Sequence, residues 1–199
     1  MIFDRSLSLD SHIKNVTKIA FFHLRNIAKI RPMLTMADAE TIIHAFVTSR
    51  LDYCNVLYSG LPACSTKSLQ LVQNAAARIL TRTRKFDHIT PVLSSLHWLP
   101  IHARADFKVL LLTYKILHGL APAYLTDLIS PYSLPRALRS QGAGLLVVPR
   151  VKKKSAGHRA FSYRSPFLWN GLPADIREAN SLATFKTKLK TYLFSLCYG

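Results

Sequence analysis

The chain has 199 residues, of which 49% are hydrophobic and 19% charged, and this composition excludes a wholly disordered protein because it can bury a sizeable apolar core. Lys and Arg number 27 against 10 Asp and Glu, so the formal net charge is +17, which predicts an anionic partner. The three cysteines have no CxxC spacing, which argues against both a zinc knuckle and a disulfide framework.

Two amphipathic helices are predicted in the first third of the chain. Over residues 9–30, apolar side chains recur every three or four residues, as they do on one face of a helix. These side chains are Ile13, Val16, Ala20, Leu24 and Ile27. Pro32 ends this helix. Thr35 and Asp38 are spaced as a capping pair, which predicts a second helix that runs towards Leu57.

A third helix is predicted to begin after Ser65, which can act as its N-cap. Three basic residues would follow one another along its polar face at positions i, i+4 and i+7. They are Arg78, Arg82 and Lys85. The sequence therefore predicts a basic stripe along this helix.

Two further helices are predicted in the middle of the chain. Thr90 and Pro91 fit an N-cap followed by a proline at the first helical position, so a short helix is expected to end near Trp98. The next helix is expected over residues 103–118. Gly119 ends it, because glycine readily adopts the left-handed conformation found at helix C-termini.

The composition changes over residues 131–173, which contain five prolines and four glycines. Residues 145–148 and 160–163 favour β-structure, so we expect a loop-rich segment with one short β-hairpin. A terminal amphipathic helix is predicted over residues 181–196. The predicted fold class is therefore mainly α: a helical bundle, then a loop-rich basic segment with the hairpin and the last helix.

Positive charge is concentrated towards the C-terminus. Residues 1–60 contain 7 basic and 5 acidic residues, whereas residues 131–199 contain 12 and 2. Such an excess favours phosphate binding, because each neutralised phosphate releases counterions and adds affinity that does not depend on sequence. A basic surface that serves only solubility is the alternative interpretation.

No motif for catalysis or for a bound cofactor is found. A nucleotidyl-transfer site needs at least two carboxylates that converge on divalent metal ions, and the ten acidic residues are too scattered for that. The eight histidines form no HExxH pattern, and neither a GxSxG elbow, a P-loop nor a GxGxxG turn occurs. We therefore expect no catalytic residue, no metal site, no cofactor and no small-molecule substrate.

Several short motifs stand out by their order and spacing. They are Arg50-Leu51-Asp52-Tyr53-Cys54-Asn55, Val72-Gln73-Asn74-Ala75-Ala76-Ala77-Arg78, His88-Ile89-Thr90-Pro91, Leu96-His97-Trp98-Leu99-Pro100, Gly119-Leu120-Ala121-Pro122 and Trp169-Asn170-Gly171-Leu172-Pro173. Together they resemble the region downstream of the polymerase palm in LINE-type non-LTR retrotransposon reverse transcriptases, and the resemblance covers nearly the whole chain.

The resemblance implies a division at residue 130. Residues 1–130 would be a thumb-like helical region that holds the template and primer duplex, with residues 1–7 a remnant of the strand that ends the palm. Residues 131–199 would be the basic C-terminal segment of the family. The Tyr-x-Asp-Asp motif, the fingers and the endonuclease module have no counterpart here, so the resemblance implies a non-catalytic fragment of an RNA-directed DNA polymerase.

The charge pattern and the resemblance together predict that template or primer nucleic acid, RNA or DNA, is bound through its phosphates. The predicted contacts are Arg78, Arg82, Arg84, Lys85, Arg150, Lys152, Lys153, Lys154, Arg159 and Arg164. Tyr163 and Phe161 are candidates for stacking on unpaired bases, or else for packing within the hairpin. Trp98 and Trp169 are expected to be structural anchors.

Two other functions remain open at this point. The helical region could be a protein-interaction or self-associating module that exposes the apolar surface once docked on the palm. The chain could also be a relic retrotransposon reading frame without a selected function. A separately encoded palm would be a further partner. Since neither a signal peptide nor a membrane-spanning stretch is recognised, we expect no membrane partner and an intracellular location, in the cytoplasm, the nucleus or both.

Overall fold

The computed structural model describes residues 1–2, 8–132 and 144–199. The described chain is mainly helical, which confirms the predicted fold class. The predicted strand remnant at residues 1–7 falls almost wholly outside the described residues. None of the described helices combines the length and the apolar composition that crossing a membrane requires.

Two compact units are present, and each is described by itself. The first comprises Met1–Arg104 with Cys197–Gly199, and the second comprises Ala105–Leu196. The resemblance to reverse transcriptases implies a division at residue 130 instead. The helix Ile101–Leu117 runs through the observed boundary without interruption, so neither a proline, a glycine nor a charge run marks it in the sequence.

The first unit is built from five helices and the first turn of a sixth, as far as the chain is described. They are α1 (Asp10–Ile30), α2 (Met36–Ile43), α3 (Ser49–Asp52), α4 (Ala63–Thr81), α5 (Thr90–Ser95) and α6 (Ile101–Leu117). A π-helical turn, His44–Thr48, connects α2 and α3. Short 3-10 segments follow α1 at Arg31–Met33 and α3 at Asn55–Tyr58.

The helix starts agree only partly with the sequence-based predictions. The amide of Asp38 donates to Thr35 Oγ1 at 3.2 Å, so Thr35 caps α2 as predicted. The predicted cap at Ser65 was wrong, because α4 already begins at Ala63, directly after the extended Pro62. α5 starts one residue earlier than predicted, with Thr90 as its first helical residue.

α4 ends too early for the predicted basic stripe. Arg82 has a left-handed φ of 58°, and the amide of Thr83 donates to the carbonyl oxygen of Arg78 at 3.1 Å. This geometry terminates a helix. Arg82 and Lys85 therefore do not continue the helical face of Arg78, and the prediction of a stripe at i, i+4 and i+7 was wrong.

α1 and α4 pack side by side and run in the same direction. Thr17 Oγ1 donates to Ser68 Oγ at 3.3 Å in their first halves. Beyond the other end of α1, Arg31 reaches the last turn of α4. The two C-terminal ends therefore lie together. Both helices bury their apolar faces, including Ile13, Val16, Ala20, Leu24, Ile27, Leu69, Val72, Ala76 and Leu80.

Arg31 is a buried cation, with only 8% of its surface exposed. Its Nη2 donates to the carbonyl oxygen of Leu80 at 2.7 Å, and its Nε lies 3.2 Å from the carbonyl oxygens of both Ile79 and Leu80. Nη1 donates to the carbonyl oxygen of Leu34 at 2.9 Å. The last carbonyls of a helix lack intrahelical donors and carry partial negative charge, so the guanidinium and the end of α4 stabilise each other.

The second unit contains the rest of α6, four shorter helices and most of a last long helix. The shorter helices are α7 (Ala123–Thr126), α8 (Lys154–Gly157), α9 (Phe161–Asn170) and α10 (Ala174–Arg177), and the last is α11 (Leu182–Tyr198). Tyr114 is central to this core. Its hydroxyl donates to the carbonyl oxygen of Ala179 at 2.8 Å, and its ring stacks on Phe185 with 4.3 Å between centroids.

The predicted β-hairpin is not found in the described residues. Residues 161–163 begin α9, whereas Leu146 forms an isolated antiparallel bridge with Pro131. Asn170 takes the place of a second strand, because its side-chain amide accepts from the amide of Leu146 at 2.9 Å and donates to the carbonyl of Leu146 at 2.8 Å. Pro166 lies inside α9, so tertiary packing overrides the low helix propensity that suggested a loop.

Replacing Arg31 by Met tests the buried cap. The variant leaves the carbonyls of Ile79 and Leu80 without their donor, so we expect the free energy of unfolding to fall by about 2–3 kcal/mol. Urea unfolding followed by circular dichroism measures it. Arg25→Met is the matched control on the exposed side of α1 and should change the free energy by less than about 0.5 kcal/mol. Equal losses in the two variants would contradict the role assigned to Arg31.

The burial of His12 should make the stability of the first unit depend on pH. Its side chain is 6% exposed, its Nε2 has no hydrogen-bond partner within the described structure, and burial, with the N-terminal ammonium adding to it, lowers its pKa from 6.5. The unfolded chain therefore binds the proton more tightly, so the free energy of unfolding decreases as the pH falls from about 6.5 towards the lowered pKa.

Replacing His12 by Leu should flatten this pH dependence. Urea unfolding at several pH values between about 7 and 5 measures it. Asn15→Leu, at an exposed position of the same helix, controls for the added apolar side chain. An unchanged slope in His12→Leu would show that another group is responsible.

Candidate nucleic-acid interface

The exposed side of α1 carries a basic stripe. Lys14, Lys18, Arg25 and Lys29 are all exposed, and at 100° per residue they fall within an arc of about 60°. This arc lies opposite the buried apolar face. No hydrogen bond or ion pair holds these four side chains within the described part of the chain.

The stripe has the dimensions of a phosphate-binding edge. Lys14 and Lys29 are about 22 Å apart along the helix axis, which corresponds to about six to seven base pairs of duplex. Phe22 lies on the same face, 54% exposed, with its ring edge-on to His23 at 5.5 Å between centroids. The face therefore offers four exposed cations and one aromatic ring to an anionic ligand.

These four residues are absent from the contacts predicted from the sequence. The signal was present, because the helical period that selects the buried face also assigns Lys14, Lys18, Arg25 and Lys29 to the opposite face. Basic residues are more numerous towards the C-terminus, and an excess counted by segment does not reveal how the four residues are placed around α1.

Arg78 lies in the last turn of α4 and braces the loop that follows, residues 82–87. Its Nη1 donates to the carbonyl oxygen of Arg84, and its Nη2 donates to that of Asp87 at 2.7 Å. The carboxylate of Asp87 accepts from the amide of Arg84 at 3.1 Å. The guanidinium of Arg78 therefore has a structural role, and a phosphate would have to compete with these two carbonyl oxygens for it.

The 82–87 loop presents further cations. Arg82, Arg84 and Lys85 are exposed, and Arg82 Nη2 also lies 3.2 Å from the carbonyl oxygen of Arg31. This contact places the start of the loop beside the C-terminal end of α1. The loop and the end of the α1 stripe therefore lie at the same end of the first unit.

The remaining predicted contacts belong to the second unit. Arg150, Lys152 and Lys153 are exposed, as a phosphate contact requires. Lys154 is the first residue of α8, but its side chain lies outside what the structure describes. Arg159 is half-buried.

Arg164 joins two helices of the second unit. Its Nη2 lies 3.0 Å from each carboxylate oxygen of Asp106, so the ion pair ties α9 to α6. Both side chains are largely shielded from solvent, with 22% and 16% exposed. The structure therefore gives Arg164 an acidic partner, and any phosphate contact would have to replace it.

The aromatic residues near these charges pack on one another. The ring of Tyr163 stacks on His158 at 4.5 Å and lies parallel to Phe167 at 5.9 Å between centroids. Trp169 is buried, and its Nε1 donates to the carbonyl oxygen of Gly144 at 2.9 Å, as expected of an anchor. Trp98 is half-buried against His44, with 5.7 Å between ring centroids.

Two of the sequence motifs contain polar side chains that connect segments of the first unit. Asp52 pairs with Arg104 Nη2 at 2.7 Å and accepts from Asn55 Nδ2 at 3.1 Å. Gln73 is fully buried and donates to the carbonyl oxygen of Leu99 at 2.8 Å. These residues hold segments of the first unit together, so they have a structural role within these two motifs.

No cluster of three or more His, Cys, Asp or Glu side chains able to hold a metal ion occurs in the residues that the structure covers. No protein-family model, no curated protein and no solved structure matches the chain. The candidate interface therefore depends on the geometry of the chain itself, and the relation to reverse transcriptases stays a prediction.

Proposed function

We propose that this chain binds RNA or DNA through phosphate contacts and catalyses no reaction by itself, as a C-terminal region of a LINE-type reverse transcriptase would. The observation that carries the proposal is the α1 stripe, in which four exposed cations share one helical face without an acidic partner in the described structure. Lys and Arg spaced along a rigid helix suit a polyanion with regularly spaced phosphates.

The distribution of carboxylates supports the same proposal. Asp10 is the one acidic residue of α1, and the chain as a whole carries a net charge of +17. An α1 stripe that served only solubility would not need its alignment along one helical face. A polymerase reaction would require carboxylates supplied by a separate palm, and this chain would hold the template or primer.

Binding should weaken steeply with salt. With about six phosphates engaged, a plot of log affinity against log salt concentration should have a slope near −5. Changing Lys14, Lys18, Arg25 and Lys29 together to Gln should make the slope shallower by about 3 to 4, since each lost phosphate contact removes nearly one unit. Fluorescence anisotropy with a labelled duplex measures both slopes.

The matched control removes the same charge from four helices. Arg50, Lys67, Lys108 and Lys190 are exposed and lie on α3, α4, α6 and α11. Their joint replacement by Gln should change the slope by less than about 1. If the control reduced the slope as much as the α1 variant does, binding would follow net charge alone and the α1 stripe would have no special role.

Variants of Arg78 and Arg84 distinguish a side chain that braces the 82–87 loop from one that contacts phosphate. Arg84→Gln removes an exposed cation, so the salt slope should become shallower by about 1. Arg78→Met releases the carbonyls of Arg84 and Asp87, so affinity should fall while the slope stays within about 0.3 of its original value. A slope that changed by a full unit in Arg78→Met would identify Arg78 as a phosphate contact instead.

A further inference from the structure

Phe86 is the most exposed large apolar side chain of the described structure, with 92% of its surface accessible. It lies in the 82–87 loop, between Lys85 and Asp87. The ammonium of Lys85 lies 5.9 Å from the centre of the Phe86 ring. Scattered apolar residues at a surface need no special explanation, so exposure alone identifies no site.

The backbone on either side of Phe86 is held in place. Arg78 donates to the carbonyls of Arg84 and Asp87, which bracket Lys85 and Phe86. The amide of Asp87 also donates to the carbonyl oxygen of Arg84 at 3.3 Å. The Phe86 ring is thus presented to solvent by a loop that is ordered in advance, so contact with a ligand costs little additional entropy.

The charges around Phe86 select the ligand. Arg84 and Lys85 are exposed, and no ion pair engages either side chain in the described residues. The carboxylate of Asp87 is directed to the amide of Arg84. The loop therefore presents an aromatic ring with cations beside it, which is the combination that binds single-stranded nucleic acid by base stacking and phosphate contact.

We propose that Phe86 stacks on an unpaired base, and that the 82–87 loop thereby directs the chain to nucleic acid in which a duplex continues into a single strand. This inference rests on the proposed function, and it adds a ligand class to it. The α1 stripe contacts phosphates of the duplex, and Phe86 contacts the first base that has no partner. An exposed ring on a loop reaches an unpaired base more easily than it reaches a base that is stacked inside a duplex.

The test compares two nucleic-acid ligands that share the same duplex sequence. One is a blunt duplex, and the other carries a short single-stranded overhang with 2-aminopurine as its first unpaired base. Phe86→Ala should lower the affinity for the overhang ligand by about 5-fold to 100-fold and remove the fluorescence change of 2-aminopurine. The affinity for the blunt duplex should stay within about twofold of its original value, and the salt slope should not change.

Two further variants distinguish stacking from general apolar contact. Phe86→Trp keeps an aromatic face and should retain the affinity for the overhang ligand, whereas Phe86→Leu keeps an apolar side chain without that face and should lose most of it. Phe46→Ala, at an exposed phenylalanine of the His44–Thr48 turn, is the matched control. It should leave the 2-aminopurine signal intact.

The outcomes separate the two proposals. If the wild-type chain binds both ligands with a steep salt dependence but Phe86→Ala or Phe86→Leu binds the overhang ligand equally well, the role of Phe86 is refuted and the proposed function stands. If the wild-type chain binds neither ligand, the proposed function itself fails. Binding to vesicles of anionic phospholipid that depends on Phe86, without any 2-aminopurine signal, would also refute base stacking.

Discussion

The hydrogen bonds between the buried guanidinium of Arg31 and the final carbonyls of α4 organise the first unit. Because α1 and α4 run in the same direction, their C-terminal ends lie together, and their partial negative charges add rather than cancel. A cation is needed where these ends meet, and Arg31 supplies it at 2.7 Å from the carbonyl oxygen of Leu80. The position of the 82–87 loop beside the end of α1 follows from the same pairing.

Basic residues in this chain therefore serve two purposes. Arg31, Arg78 and Arg164 donate to carbonyls or to a carboxylate and hold the fold together. Lys14, Lys18, Arg25 and Lys29 hold nothing within the described structure and remain available to an anion. Net charge alone does not separate these roles, whereas burial and hydrogen-bond partners do.

The extents of α1 and α6 could be predicted within a few residues. The second predicted helix, which was expected to run towards Leu57, is instead divided into α2, a π-helical turn and α3, which ends at Asp52. The helix α9 could not be predicted, because Pro166 and the neighbouring aromatic residues have low helix propensity. The hydrogen-bond partners of Arg31 and Arg78 could not be predicted either. Both side chains donate to backbone carbonyl oxygens, which every residue has, so the sequence does not indicate which carbonyls accept. Among the predicted contacts, those in exposed loops keep their role as candidates, and Arg78 and Arg164 acquire structural partners.

The parallel arrangement of α1 and α4 also has a kinetic side. Thr17 meets Ser68 and Arg31 meets Leu80, so each contact joins residues about 50 positions apart in the chain. During synthesis, the apolar face of α1 leaves the ribosome well before the helix that covers it. Until α4 has emerged, the nascent chain exposes that face to other chains and to chaperones. The apolar face of α1 is buried only when α4 packs against it.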